Sequence, residues 1–421
     1  MIHEVRLSHE TKYYLWQITH LQIDVLACAV QLQSNFTEQE LQTALTCKMS
    51  QKRAIRVANW ICRHRDTREG LQTFVTGIQC ERQGLVDSMQ RDVLRLYCGQ
   101  RDKTLECCFA DDRHLPAYQE GAKQFLLAFY EQLSNGIPTD ILASNPGNYP
   151  RYGREQFFKA YEKANPRQSV CAICDEHRPI TIIRGHFHSD IEHYFPKSVY
   201  PHLACHPYNL IPICQACNSA HQNKDPLQGR GCSPRRRNLG EVFLPYRNES
   251  VRSHGAVIFD GNKPDLFIVE RNNNNNSLSY TRVMAFLEIY DVPQRWQSQI
   301  HRIGEQLWRK ISHFALAEIE KNEVLDVFKV KTALERLLNY FIEDLGATSW
   351  DYVLIWYLSY LLVTEIETAI QNHQSPHEVP HEVPLIQTLD EIIKKSSPDV
   401  SVLRAYEVLK ISRGLYNQGL P

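Results

Sequence analysis

The chain holds 421 residues, of which 43% are hydrophobic and 23% charged, enough apolar material for a large core and two or three domains. A formal net charge of -1 excludes a uniformly basic nucleic-acid coat protein and leaves room for a local basic site. The N-terminal stretch MIHEVRLSHETKYY lacks the apolar core of a signal peptide. The longest greasy run, YVLIWYLSYLLV at 352–363, is short against the roughly 20 residues of a membrane span, so a buried helix and no membrane role are expected. With no export signal, the 13 cysteines are expected in a reducing, cytoplasmic compartment, mostly as free buried thiols, the adjacent Cys107 and Cys108 included.

The first 150 residues are expected to form a helical domain. Thr37 and Glu40 have the spacing of a capping box, with Phe36 and Leu41 placed as a staple. A helix to Leu45, a break near Met49 and Ser50, and a second helix through Arg63 follow. Lys52, Arg53, Arg56 and Arg63 decorate that second helix, so 37–64 resembles a helix-turn-helix DNA reader. A plain helical hairpin with a solvated basic face is the commoner use of such a pattern. The turn-rich stretch Asn145-Pro146-Gly147-Asn148-Tyr149-Pro150 is read as a domain boundary.

A cysteine- and histidine-rich region is expected over 151–245. Beyond it, Ala256–Phe259 and Leu266–Val269 flank DGNKPD and read as a β-hairpin, opening a third region over 246–421. The asparagine run at 272–276 reads as a loop. Trp296, Ile300, Ile303, Leu307, Ile311 and Phe314 form one apolar helical stripe, expected to face a core. Further helices are expected to end near Leu345, with Gly346 as C-cap, and to begin around Thr348 and Asp351. The doubled PHEV at 376–383 lies among prolines and reads as an extended linker.

Two CxxC pairs, Cys171 with Cys174 and Cys214 with Cys217, are the strongest chemical signal. Two thiolate knuckles complete the tetrahedral set favoured by structural zinc. Four sulfurs leave no open coordination position, so this zinc is expected to hold the fold, and chemistry must come from other groups. Seven of the 18 histidines lie between 177 and 221: His177, His186, His188, His193, His202, His206 and His221. His202 and His206 have helical i, i+4 spacing, but Pro201 and Pro207 bracket them and disfavour a long helix. Between the knuckles, DIEHYFPK at 190–197 sets Asp190 and Glu192 immediately before His193.

CAIC, then DIEHYFPKSVYPHL, then NLIPICQACN resembles the HNH endonuclease superfamily of ββα-metal nucleases, in its four-cysteine zinc form. The resemblance covers about 171–225 and implies a ββα centre within a mainly α protein, flanked by helical domains. It implies that His193 is the general base, that Glu192 is a ligand of the catalytic ion, and that Asn209 braces the loop carrying the base. Asn218 takes the place of the final histidine as a second ion ligand. Hard ligands of this kind suit Mg²⁺ or Mn²⁺. Adjacent residues of a regular strand face opposite ways. Glu192 and His193 therefore converge only at a strand end or bulge; in a regular strand, Asp190 shares the Glu192 face and stands as a reserve ligand. Where the family often has lysine, this chain has His221, which is read equally as a phosphate or ion contact and as a solvated helix residue.

The stretch 221–240 carries Lys224, Arg230, Arg235, Arg236 and Arg237 against one acid, Asp225. Beside a nuclease centre these residues, with Lys197, are candidates for phosphate contact, although a charge run is usually a solvated loop. The resemblance favours DNA over RNA and a role in restriction, phage defence or mobile elements. Two other readings stay open. One is a catalytically silent, zinc-stapled nucleic-acid-binding module. The other is a nuclease released only by a protein partner or effector docked on the helical regions.

Overall fold

The computed structural model describes residues 1–106, 109, 115–183, 186–187, 189–222, 224–229, 235–260, 263–268, 278–299, 302, 340, 350 and 352–354. Among them it is mainly helical with small antiparallel sheets. The first half runs α1 (His9–Ala29), α2 (Glu38–Leu45), α3 (Gln51–Arg63), α4 (Arg65–Phe74), α5 (Gln79–Cys98) and α6 (Ala117–Gln132). Strands β1 (Ile137–Pro138) and β2 (Arg151–Tyr152) and helix α7 (Arg154–Ala164) follow. The cysteine-rich region contributes β3 (Ile182–Ile183), β4 (His186–Phe187), β5 (Asp190–His193), β6 (Leu210–Ile213) and α8 (Gln215–His221). After it come α9 (Val251–His254), β7 (Gly255–Asp260), β8 (Lys263–Ile268), α10 (Leu278–Tyr290) and α11 (Val292–Ser298).

Local chemistry accounts for several of these elements. Thr37 and Glu40 form the reciprocal capping box that starts α2. Gly99, at φ +66°, ends α5 in the left-handed conformation that costs glycine little. Helices α4 and α6 approach so closely that a Cβ at Gly70 would lie 2.6 Å from the Phe125 nitrogen. The α2–α3 pair is a helical hairpin whose basic face is partly used within the chain. Arg53 Nε donates to the Ile141 carbonyl at 2.8 Å, and Arg56 lies 3.9 Å from Asp140.

Strand pairing and apolar contacts cross the turn at 145–150. Strand β1 pairs with β2 over that turn, with Ile137 opposite Tyr152. Residues at the start of the chain reach the cysteine-rich region, where Ile2 N donates to the Ala172 carbonyl at 2.8 Å. A single apolar core includes residues of α1, α6, both CxxC turns, β6 and α10. The predicted hairpin is present as β7 and β8, with Val257 opposite Leu266. Tyr352, Val353 and Leu354 are buried and helical. Trp296 is fully buried at the start of the predicted stripe. Ile300, Ile303, Leu307, Ile311 and Phe314 fall outside the described residues. So do Cys107, Cys108, the 272–276 run, the helix-end residues Leu345, Gly346, Thr348 and Asp351, and the PHEV repeat. None of the described helices is long and apolar enough to cross a membrane.

Candidate functional site

The two CxxC turns meet as expected. All four cysteines are buried, and their sulfurs lie within 4.8 Å of one another. Cys171 Sγ is 3.9 Å from Cys217 Sγ, and Cys174 Sγ is 3.6 Å from Cys214 Sγ. Tetrahedral zinc with bonds of about 2.3 Å separates its sulfurs by about 3.8 Å. The donor set therefore fits zinc in kind and in spacing. Hydrogen bonds from neighbouring thiols push Cys174 down to about 7 and hold Cys214 well below the ordinary thiol range. Burial raises Cys171 and Cys217 well above it. A divalent cation removes this conflict, because it lets four buried thiolates coexist. Helix α11 closes the site from outside. Trp296 Nε1 donates to the Cys174 carbonyl at 3.0 Å, and Arg295 Nη2 donates to Cys217 Sγ at 3.2 Å. A guanidinium on a four-thiolate centre offsets part of its negative charge.

The staple fixes the hairpin that carries His193. Strand β5 pairs with β6 in register, Asp190 opposite Ile213 and His193 opposite Leu210. Cys214 and Cys217 follow directly on β6 and in α8, so zinc would lock hairpin and helix together. The strand stays regular through His193, with no bulge. Asp190 and Glu192 are half-buried while Ile191 and His193 are buried, the alternation of a pleated strand.

His193 is only 5% exposed. Its Nε2 donates to the Ala204 carbonyl at 3.2 Å, and Tyr130 of α6 meets the ring edge-on at a centroid distance of 4.3 Å. A carbonyl can only accept, so the neutral ring carries its proton on Nε2 and Nδ1 keeps its lone pair. Burial pushes His193 down to about 3, with the Lys197 charge and His221 acting in the same direction. Asn209, fully buried, holds the connecting loop. Its Oδ1 accepts from Phe195 N at 2.6 Å, and its Nδ2 donates to the carbonyls of Phe195 and Leu203 at 3.1 and 3.0 Å. Those bonds clamp both ends of the segment on which the imidazole rests.

A cleft of about 490 Å³ brings Asp190, Glu192, His193, Lys197 and Asn218 together, with Tyr130 and Arg154 on its walls. His221, expected as either a contact or a solvated residue, is fully buried. Its Nδ1 lies 2.6 Å from Glu192 Oε1, yet neither ring nitrogen makes a hydrogen bond, since the approach has the distance but lacks the direction. Asp190 does share the Glu192 face. Its Oδ2 instead accepts from Asn218 Nδ2 at 2.9 Å, which makes it the partner that orients Asn218. Among the described residues, the four cysteines are the one group of three or more His, Cys, Asp and Glu side chains close enough to share an ion.

The described residues of the basic run after α8, candidates for phosphate contact in the sequence, have partners within the chain, and Arg235 and Arg236 stay exposed. Lys224 Nζ donates to the Ile289 carbonyl at 2.8 Å. Arg237 is buried, donating to the Pro226 carbonyl at 3.1 Å and to Glu288 at 2.6 Å. Arg235 pairs with Glu241, and Arg236 Nη2 donates to the Tyr200 hydroxyl at 2.7 Å. These residues fasten the segment to the body of the protein, and none of them lines the cleft. Arg230 lies outside the described residues.

Two cleft cations remain. Lys197 sits over the Tyr130 ring at 4.6 Å and 3.4 Å from Glu131. Arg154, at the first position of α7, went unrecognised in the sequence. Its Nη2 donates to the Ser189 carbonyl at 2.7 Å, which fixes the guanidinium at the cleft wall. Only the fold brings Arg154 and Tyr130 to the motif, and no spacing rule links them to it. Comparison with protein-family models, curated proteins and solved structures finds no match.

Proposed function

We propose that the protein is a metal-dependent endonuclease of the HNH type that hydrolyses phosphodiester bonds, with DNA as its substrate. The observation that carries this reading is the cleft beside the cysteine staple. It combines a fixed imidazole, the hydrogen-bonded pair of Asp190 and Asn218, two cations, and Glu192, which lies 2.6 Å from the buried His221. The support for a second cation is that His221 is buried with both ring nitrogens lacking hydrogen bonds, one of them 2.6 Å from a carboxylate oxygen of Glu192. Glu192, His221 and Asn218 Oδ1 are the donors that would hold Mg²⁺ or Mn²⁺, with Asp190 holding the Asn218 amide nitrogen. When bound, the ion would supply charge relief at the phosphoryl and leaving oxygens.

The remaining work falls to this chain's own groups. His193 Nδ1 takes a proton from the attacking water, while the Nε2 bond to Ala204 keeps the ring from turning. Asn209 holds the stretch leading to Ala204 through its bonds to the Phe195 and Leu203 carbonyls. Arg154, tied by one nitrogen, offers its other donors to a non-bridging phosphate oxygen. Lys197 adds a second positive charge at the same wall.

A plasmid-nicking assay with Mg²⁺ or Mn²⁺ tests the reading. Wild type is expected to cut, and His193→Ala, with its zinc content and circular dichroism unchanged, is expected not to. Full cutting by that variant removes His193 from the role. A second reading, release by a partner, is favoured by one observation: Tyr130 and the Lys197–Glu131 contact cover the nearly buried imidazole. On that reading the isolated protein binds DNA without cutting it, and Tyr130→Ala restores cutting.

A further inference from the structure

We propose that the DNA strand leaves the His193 cleft across Asp190 and Ser219 and enters a neighbouring cleft, where Arg178 holds a flanking phosphate. This rests on the nuclease reading and extends it from a cleavage point to a strand path. The second cleft, about 730 Å³, shares Asp190 and Ser219 with the first, so the two form one trough past the start of α8. Its wall includes Arg178, Thr181, Ser189 and Gln215.

The chemistry of this wall suits a sugar-phosphate backbone. Arg178 is exposed, and no carboxylate among the described residues pairs with it. The neighbouring His177 is 3.2 Å from Glu176, which leaves the guanidinium as the cleft's available cation. Ser189 joins the two clefts. Its carbonyl accepts from Arg154 at 2.7 Å in the first, and its hydroxyl oxygen accepts from Thr181 N at 2.6 Å in the second. Asp190, the acid shared by the two clefts, already accepts from Asn218. Among the described residues, no phenylalanine, tyrosine or tryptophan lines the second cleft as a platform on which a base would stack. Contact there is to phosphate and sugar, which positions a strand without reading its sequence.

The test is fluorescence anisotropy of labelled DNA oligonucleotides on the full chain. Ca²⁺ replaces Mg²⁺, and binding is measured over a series of salt concentrations. Arg178→Ala is expected to weaken binding about tenfold whatever the sequence, and to lower the salt slope by about one. Arg178→Lys should restore most of the slope. Arg65→Ala, which removes an exposed charge on α4, should change neither. Unaltered affinity and slope in Arg178→Ala, while wild type binds and cuts, would overturn the path alone. So would an equal loss in Arg65→Ala. A wild type that neither binds nor cuts DNA overturns the nuclease reading and the path with it.

Discussion

The cysteine centre and the cleft beside it solve opposite problems with neighbouring residues. At the cysteine centre every sulfur is buried, the spacing matches one tetrahedral ion, and α11 seals the outside with Arg295 and Trp296. In the cleft the donors are of mixed type, and the buried His221 beside Glu192 keeps two nitrogens without hydrogen bonds. A saturated site can only hold structure, whereas an unsaturated one has positions to give to a substrate. The short connection from β6 into α8 explains how one serves the other. Cys217 and Asn218 are adjacent, so locking the first sets the place of the second.

The largest effect should come from breaking the closed site. Cys214→Ser is expected to lose zinc and cooperative folding together, because structural zinc contributes about 10 kcal/mol or more in small zinc domains. Metal analysis with thermal melting checks this, and a zinc-free variant that melts like wild type would remove the distinction between the two sites. Next is the brace. Asn209→Ala strands the buried Phe195 N and two carbonyls, at roughly 1–3 kcal/mol for each unsatisfied group. Urea unfolding should show a loss of about 3 kcal/mol or more, with zinc retained. Arg154→Ala should leave the unfolding midpoint near wild type and lower kcat/KM about a hundredfold, as removal of one preorganised donor does. An equal loss of stability would instead make Arg154 a packing residue.

The smallest effect is one of pH and belongs to the scaffold. Burial pushes His206 down to about 3. The unfolded chain takes up that proton near pH 6.5, while the folded chain refuses it until about pH 3. This contribution is therefore complete above about pH 6.5 and is lost as the pH falls towards 3. Between pH 7 and 5.5, wild type should lose about 1 kcal/mol more than His206→Gln in urea unfolding. Parallel losses in the two proteins would assign the acid sensitivity to other groups.

The parts of this arrangement that repeat at short spacing were legible in the sequence. The CxxC turns, the capping box at Thr37, the hairpin around 255–268 and the DIEH segment are each carried by a few consecutive residues. Contacts made by distant segments were not. Arg154, Tyr130 and Arg295 reach the two sites only through packing. For the run from Lys224 to Arg237, sequence shows the charges and not their partners within the chain. Glu241, Glu288 and main-chain carbonyls are those partners. Glycine, proline and asparagine at 145–150, read as a boundary in the sequence, also serve the connection between the paired strands β1 and β2. Glu192 and His193 both line the cleft although the strand has no bulge, and His193 is its last residue.

The most direct measurement is metal content followed by Mn²⁺ titration, read by electron paramagnetic resonance, on wild type, Glu192→Gln and His221→Ala. The account predicts a zinc that survives dialysis in all three proteins, and a weaker Mn²⁺ site present in wild type and lost in both variants. Mn²⁺ binding that ignores both substitutions, or that displaces the zinc, would contradict it.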